Sequence, residues 1–158
     1  MTVTRQLAGT PVGGQFAATA RTEPAVQLAE SITDDDIERY TNRHCGGLAW
    51  SLHKATGWPL IAAVDGYDEA TDRYGWNHMG VIRPDGMVLD VEGPHDLGDW
   101  ADQWAEWAED PDESYALPVD DPARFHLDAA MFPPGDAADA DRVAALVLAE
   151  HPTPAAAA

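Results

Sequence analysis

The stretch WNHMGVIRPDGMVLDV, residues 76–91, decides the fold. At its centre Pro84, Asp85 and Gly86 have the chemistry of a three-residue hairpin loop. Proline suits the first central position of a type I turn, aspartate the second, and glycine the left-handed position that follows. Such a loop pairs Arg83 with Met87 and carries the ladder back until Gly80 faces Asp90. His78 then lies diagonal to Asp90 on the same face, with Cα atoms ~7–8 Å apart, within reach of a His–Asp hydrogen bond. Met79, Val81, Met87, Leu89 and Val91 fall on one face and are all apolar. His78, Gly80, Ile82, Val88, Asp90 and Glu92 fall on the other. A shift of one residue would separate His78 from Asp90.

Upstream, NRHCGGLAWSLHKATGWPL (residues 42–60) reads as a helix feeding a strand. Asn42 is the expected cap. Cys45, Leu48, Ala49 and Leu52 recur at i, i+3, i+4 and i+7, so they share one face. Gly46 and Gly47 are poor helix formers and suit a close approach to the backbone. Gly57 and Pro59 end the helix. Pro59 to Val64 reads as a buried strand and Asp65 to Gly75 as a polar loop. Before this block, Thr33 with Asp34, Asp35 and Asp36 forms a capping-box start for a short helix whose inner face is Ile37 and Tyr40. After it, Gly93-Pro94 closes the hairpin. Asp96 to Glu109 is an expected helix with Trp100, Trp104 and Trp107 as an inward stripe. Tyr115 to Val119 reads as a strand, Pro122 to Met131 as helical or irregular, and Pro133-Pro134-Gly135 as a break. Asp136 to Glu150 reads as a last helix with Val143, Leu146 and Val147 inward.

Cys45, His78 and Asp90 are a candidate nucleophile, base and orienting acid. Acyl transfer through a thiol needs those three roles. A thiol in the first turn of a helix beside an imidazole is activated as a thiolate, and the carboxylate fixes the imidazole tautomer. The backbone N–H of Cys45 is one candidate oxyanion donor and the Asn42 side chain another. The bland alternative is a buried core cysteine. His95, beyond Gly93-Pro94, is a rival base in an expected loop. A zinc site from His44, Cys45 and His78 fits poorly, because adjacent helical residues point apart. No cofactor and no metal are expected. His44, His53, His126 and His151 read as surface or cap residues.

The order of a cysteine at a helix start followed by histidine and aspartate on successive antiparallel strands resembles the papain-like and transglutaminase-like superfamily. CGGLAWSLHKATGWPL, NHMGV and DGMVLDVEG are also similar to segments of a group of small actinobacterial and phage proteins, over about residues 33–110. The resemblance implies an α+β fold with the cysteine helix packed on a small antiparallel sheet and additional C-terminal helices. It implies a cysteine hydrolase or acyltransferase acting on an amide, isopeptide or thioester. The chain departs from the papain-like pattern in having no Gln a few residues before Cys45.

The 158 residues include 28 acidic and 9 basic side chains, a net charge of −19. Direct binding to nucleic acid or to an anionic membrane surface is disfavoured, since phosphate contacts need clustered Lys and Arg. A peptide or protein substrate fits, a basic protein among the candidates. The same acidity permits a second reading: an inactive phage or mobile-element protein that imitates DNA and blocks a basic host factor. One cysteine excludes an internal disulfide. No apolar run approaches the ~20 residues of a membrane span and no signal-peptide core is visible, so a cytoplasmic protein is expected. The chain divides into a flexible leader (1–30), one α+β domain (31–150) and a disordered tail (151–158). In the leader, Gly13-Gly14-Gln15 matches the release-factor tripeptide, a match too short to carry weight.

Overall fold

The computed structural model describes residues 30–108, 110–127 and 134–153. Most of the leader, Gly13-Gly14-Gln15 included, and the last five residues lie outside them. Among these residues the fold is α+β: four α-helices and one open, antiparallel five-stranded sheet. The elements run α1 (Asp34–Thr41), α2 (Cys45–Thr56), β1 (Leu60–Asp68), β2 (Arg73–Ile82), β3 (Val88–Asp90), β4 (Gly93–His95), α3 (Leu97–Ala105), β5 (Tyr115–Pro118) and α4 (Pro134–Glu150). The sheet order is β4-β3-β2-β1-β5.

The hairpin register is the one the turn chemistry predicts. Val81 pairs with Leu89 and Ile82 with Val88, and Arg83 N–H donates to the Met87 carbonyl at 2.8 Å. Gly86 has φ 86°, the left-handed value that only glycine adopts without strain. Because strand side chains alternate, the two faces of the sheet differ. Leu60, Ala62, Val64, Met79, Val81, Leu89 and Val91 join the main core with Leu48 and Leu52 of α2 and Val143 and Val147 of α4. Ile61, Ala63 and Val88 join a smaller cluster under Trp100 and Trp104 of α3. The sheet is therefore covered on both faces.

α1 begins at the expected capping box: Thr33 Oγ1 accepts from Asp36 N–H, and the Asp36 carboxylate accepts from Thr33 N–H. Tyr40 is buried, and its hydroxyl donates to Asp139 of α4 at 2.9 Å. The buried face of α2 is Cys45, Leu48, Ala49 and Leu52, as its spacing predicts. Gly57 ends the helix at φ 73°.

Several expectations need correction. The polar run from Asp65 does not end β1; that strand continues to Asp68, and only residues 69–72 turn. Tyr67 and Tyr74 pack across the ladder at 4.9 Å, and Asp68 accepts from Ala70 N–H and Thr71 Oγ1 to close the turn. Gly93-Pro94 does not close the sheet. A two-residue turn at Val91-Glu92 leads into β4, where Gly93 takes φ 111° and pairs with Asp90. Pro94 is tolerated because β4 is an edge strand. α3 stops at Ala105, and Trp107 is 74% exposed instead of completing an inward stripe. In α4, Leu148 and not Leu146 packs partly against the core. His151, read as tail, continues the end of α4 through its N–H to the Val147 carbonyl, and its ring lies against Gly93.

Candidate active site

The site is built around a β-bulge. β1 and β2 pair Ala63 with His78, but the next pair is Val64 with Trp76, so Asn77 is an extra residue in β2. Without it Trp76 and His78 would share a face. With it Trp76 packs on the main-core side and His78 turns to the α3 side, the re-aiming that bulges produce beside functional sites. The Asn77 amide, oriented so that both ends are satisfied, donates to Asp65 at 2.8 Å and accepts from Ala108 N–H at 3.1 Å. It ties β1 and the chain after α3 to the bulge.

His78 is 1% exposed and Asp90 2%. His78 Nε2 lies 3.1 Å from Asp90 Oδ2. Trp104 stacks on the imidazole with centroids 3.7 Å apart and planes 13° apart. Asp90 is the hub of the network. Its Oδ2 also accepts from Trp100 Nε1 at 2.8 Å, and its Oδ1 accepts from His95 Nε2 at 3.2 Å and from Glu92 N–H at 2.9 Å. Burial would raise the Asp90 pKa, but the hydrogen bonds from His78 and His95 and their charge hold it well below the usual carboxylate range. Burial likewise opposes a proton on His78. The hydrogen bond and charge of Asp90, together with the Cys45 sulfur, outweigh it and push the His78 pKa up to about 9. The His95 pKa is raised by its bond to Asp90, against partial burial.

The other His78 nitrogen, Nδ1, is buried and has no hydrogen-bond partner in regular geometry. Cys45 is near enough to act on the ring's proton affinity, yet short of a formed hydrogen bond. Cys45 is the first residue of α2, closer to the helix end than the sequence suggests. The N-cap is His44, which makes no side-chain capping bond, while Asn42 ends α1. The first bond within α2 runs from Leu48 N–H to the His44 carbonyl, so the N–H groups of residues 45–47 point out of the helix end. Gly46 allows this end to meet the sheet: a Cβ there would lie 3.0 Å from the Trp76 ring.

Cys45 opens onto a cleft of about 660 Å³. Thr41, Asn42 and Arg43 form one wall, Trp76 and Asn77 another, and Glu92, Gln103, Trp104 and Trp107 the rest. Asn42, the expected oxyanion donor, is thus on the cleft wall with Cys45. Three contributors were not legible as site residues: Trp100 holds Asp90, Trp104 covers His78, and Gln103 faces the cleft while donating to Glu92 at 3.2 Å. His95, weighed as a rival base, also bonds to Asp90. The signal for His95 is its place five residues after Asp90, which a two-residue turn folds back alongside it.

Asp90, Glu92 and His95 cluster closely enough to suggest a cation. The four donors on Asp90 use its oxygens, so its share of a ligand set is already taken. His44, Cys45 and His78 do not form a ligand cluster among the described residues. His53 Nδ1 pairs with the Trp58 carbonyl at 2.7 Å, and His126 Nδ1 with Arg73 at 3.0 Å; neither belongs to the site. No protein-family model, curated protein or solved structure matches this chain.

Proposed function

We propose that the protein is a small cysteine hydrolase or acyltransferase of the papain-like or transglutaminase-like kind, acting on an amide, isopeptide or thioester. Cys45 is the nucleophile, His78 the general base and Asp90 the orienting acid. The observation that carries the reading is the buried order Asp90, His78, Cys45, of which Cys45 lines the cleft. Asp90 holds Nε2 of His78, and Nδ1 is left without a partner beside a cysteine that lines the cleft. A core cysteine needs no oriented imidazole, and a buried imidazole with one idle nitrogen is costly unless that nitrogen has work to do.

In this reading the Cys45 sulfur attacks the acyl carbon as its proton passes to His78 Nδ1. The oxyanion is met by the Cys45 N–H at the uncapped end of α2 and by the Asn42 amide on the cleft wall. Collapse breaks the bond to the leaving amine or thiol, which takes the proton from His78, and a thioester remains on Cys45. Water or another amine then attacks the thioester, gives its proton to His78, and releases the sulfur. Asp90 keeps its charge throughout and stabilises the imidazolium. Trp104, stacked on the ring, excludes water from the His–Asp bond.

The acidic decoy reading would need carboxylates standing free in a surface array. Many here are engaged locally: Asp96, Asp110 and Asp121 cap helical turns, and Asp36, Asp136, Asp139 and Asp141 pair with Arg142, Arg39 and Lys54. Incubation with an acyl-transferring thiol probe and intact-mass detection tests the proposal. One acyl group should be added in the wild type and none in Cys45→Ala. Absence of the adduct from the folded wild type across amide, thioester and activated-ester probes would count against it. Among the described residues, no helix is long and apolar enough to cross a membrane.

A further inference from the structure

The cleft contains a cation that the rest of the molecule leaves alone. Acidic residues outnumber basic ones 28 to 9, so each Lys or Arg has carboxylates to choose from. Arg39, Lys54, Arg83, Arg124 and Arg142 each reach one. Arg73 donates to His126. Arg43, among the described cations, forms neither an ion pair nor a hydrogen bond, and it lines the cleft two residues before Cys45. Its backbone sits at φ 150°, a value rare outside glycine. The other charged side chain of the cleft, Glu92, is engaged by Gln103. The outward N–H groups of the α2 end lie beside Arg43, at the helix start that carries Cys45. An unpaired guanidinium therefore stands on the wall of the cleft that holds the cysteine, in a strongly negative molecule.

We propose that Arg43 is the specificity residue of this cleft. The substrate it selects carries a free carboxylate within reach of Cys45, as an amino acid or a peptide C-terminus does. This rests on the hydrolase reading and narrows it. A guanidinium binds a carboxylate through two parallel N–H bonds, which fixes orientation as well as position. Such a contact, made by a part of the substrate that does not react, would place the neighbouring acyl carbon against the sulfur.

The test needs no knowledge of the natural substrate. Iodoacetate and iodoacetamide deliver the same carbon to Cys45: the sulfur–carbon bond forms, iodide leaves, and the thiol proton passes to His78 and then to solvent. Only iodoacetate carries a carboxylate. Second-order alkylation rates are measured on the full chain at pH 7 for the wild type, Arg43→Gln and Arg43→Lys, each checked for an unchanged circular dichroism spectrum. The expected result is a ratio of iodoacetate to iodoacetamide rates that falls roughly tenfold in Arg43→Gln, the size of one hydrogen bond to a charged group. Arg43→Lys recovers part of it, and salt lowers the wild-type ratio by screening. A ratio that is the same in the wild type and Arg43→Gln, with both reagents reacting in the native protein, overturns the Arg43 assignment and leaves the hydrolase reading standing. Failure of both reagents to reach Cys45 in the native wild type overturns both.

Discussion

The two faces of the sheet are made from the same strands and have different jobs. Under α2 and α4, Leu60, Ala62 and Val64 of β1, Met79 and Val81 of β2 and Leu89 of β3 point inward, and seventeen buried residues form the main core. Under α3, the alternate positions of the same strands carry His78 and Asp90, with five buried residues around them. The first face holds the fold by area removed from water, which tolerates substitutions that keep volume. The second face holds a polar network in which four donors converge on the Asp90 carboxylate, so it tolerates few substitutions there. A bulge at Asn77 lets one strand serve both.

The largest effect expected on the polar face is catalytic. Asp90→Asn should lower turnover by about 10⁴, the scale of losing the carboxylate behind a catalytic histidine. It should also destabilise the fold. Four donors converge on Asp90, and an amide turns one acceptor into a donor among donors. A stability loss of about 1–3 kcal/mol should appear in urea unfolding, the cost of a buried unsatisfied group. Unchanged stability would mean that the network is looser than its distances suggest. On the apolar face, Leu52→Ala at a fully buried position should cost about 2–5 kcal/mol by the same measurement. It should leave the iodoacetamide reactivity of Cys45 in the folded fraction unchanged, which is the sharpest contrast between the faces.

Next comes pH. The Asp90 carboxyl is held below its unfolded value, so its contribution is present above about pH 4 and is lost as the pH falls through the folded value. His78 is held above its unfolded value, at about 9, so its contribution is complete below roughly pH 6.5 and is lost as the pH rises towards 9. The melting temperature should be highest between those limits and decline from pH 6.5 to 9. Asp90→Asn should flatten the alkaline decline, whereas Leu52→Ala should shift the curve downward without changing its shape. The smallest effect is at the turn joining β2 and β3. A Cβ at Gly86 would meet no atom within 4 Å, so the cost of Gly86→Val is chiefly backbone strain, about 1–2 kcal/mol. A neutral result would show that the loop relaxes and that register depends on strand packing.

These contrasts also explain what the sequence made legible. The register of β2 and β3 could be read because Pro84, Asp85 and Gly86 determine one loop geometry and the apolar alternation agrees with it. The helix of Cys45 could be read from its periodicity, but its first residue could not. Asn42 looked like a cap because its side chain suits one, yet it closes α1 while the uncapped His44 starts α2. β4 was hidden because Gly93-Pro94 reads as a stop, and only an edge position lets a proline remain in a strand. The bulge at Asn77 left no mark in the pattern, because one inserted polar residue looks like ordinary alternation. Trp107 kept the helical spacing of a core residue, but α3 ends two residues before it. The hub at Asp90 depends on contacts with Trp100 and His95 that arise only once the second turn is formed.

If the polar face activates Cys45, its reactivity must depend on the fold and on His78. Iodoacetamide alkylation at pH 7, followed by mass spectrometry in the native protein, in 8 M urea and in His78→Ala, measures that dependence. Native Cys45 should react faster than the same residue in the unfolded chain, and His78→Ala should abolish the advantage. A thiol that reacts only after unfolding, at a rate indifferent to His78, would contradict it and return Cys45 to the core.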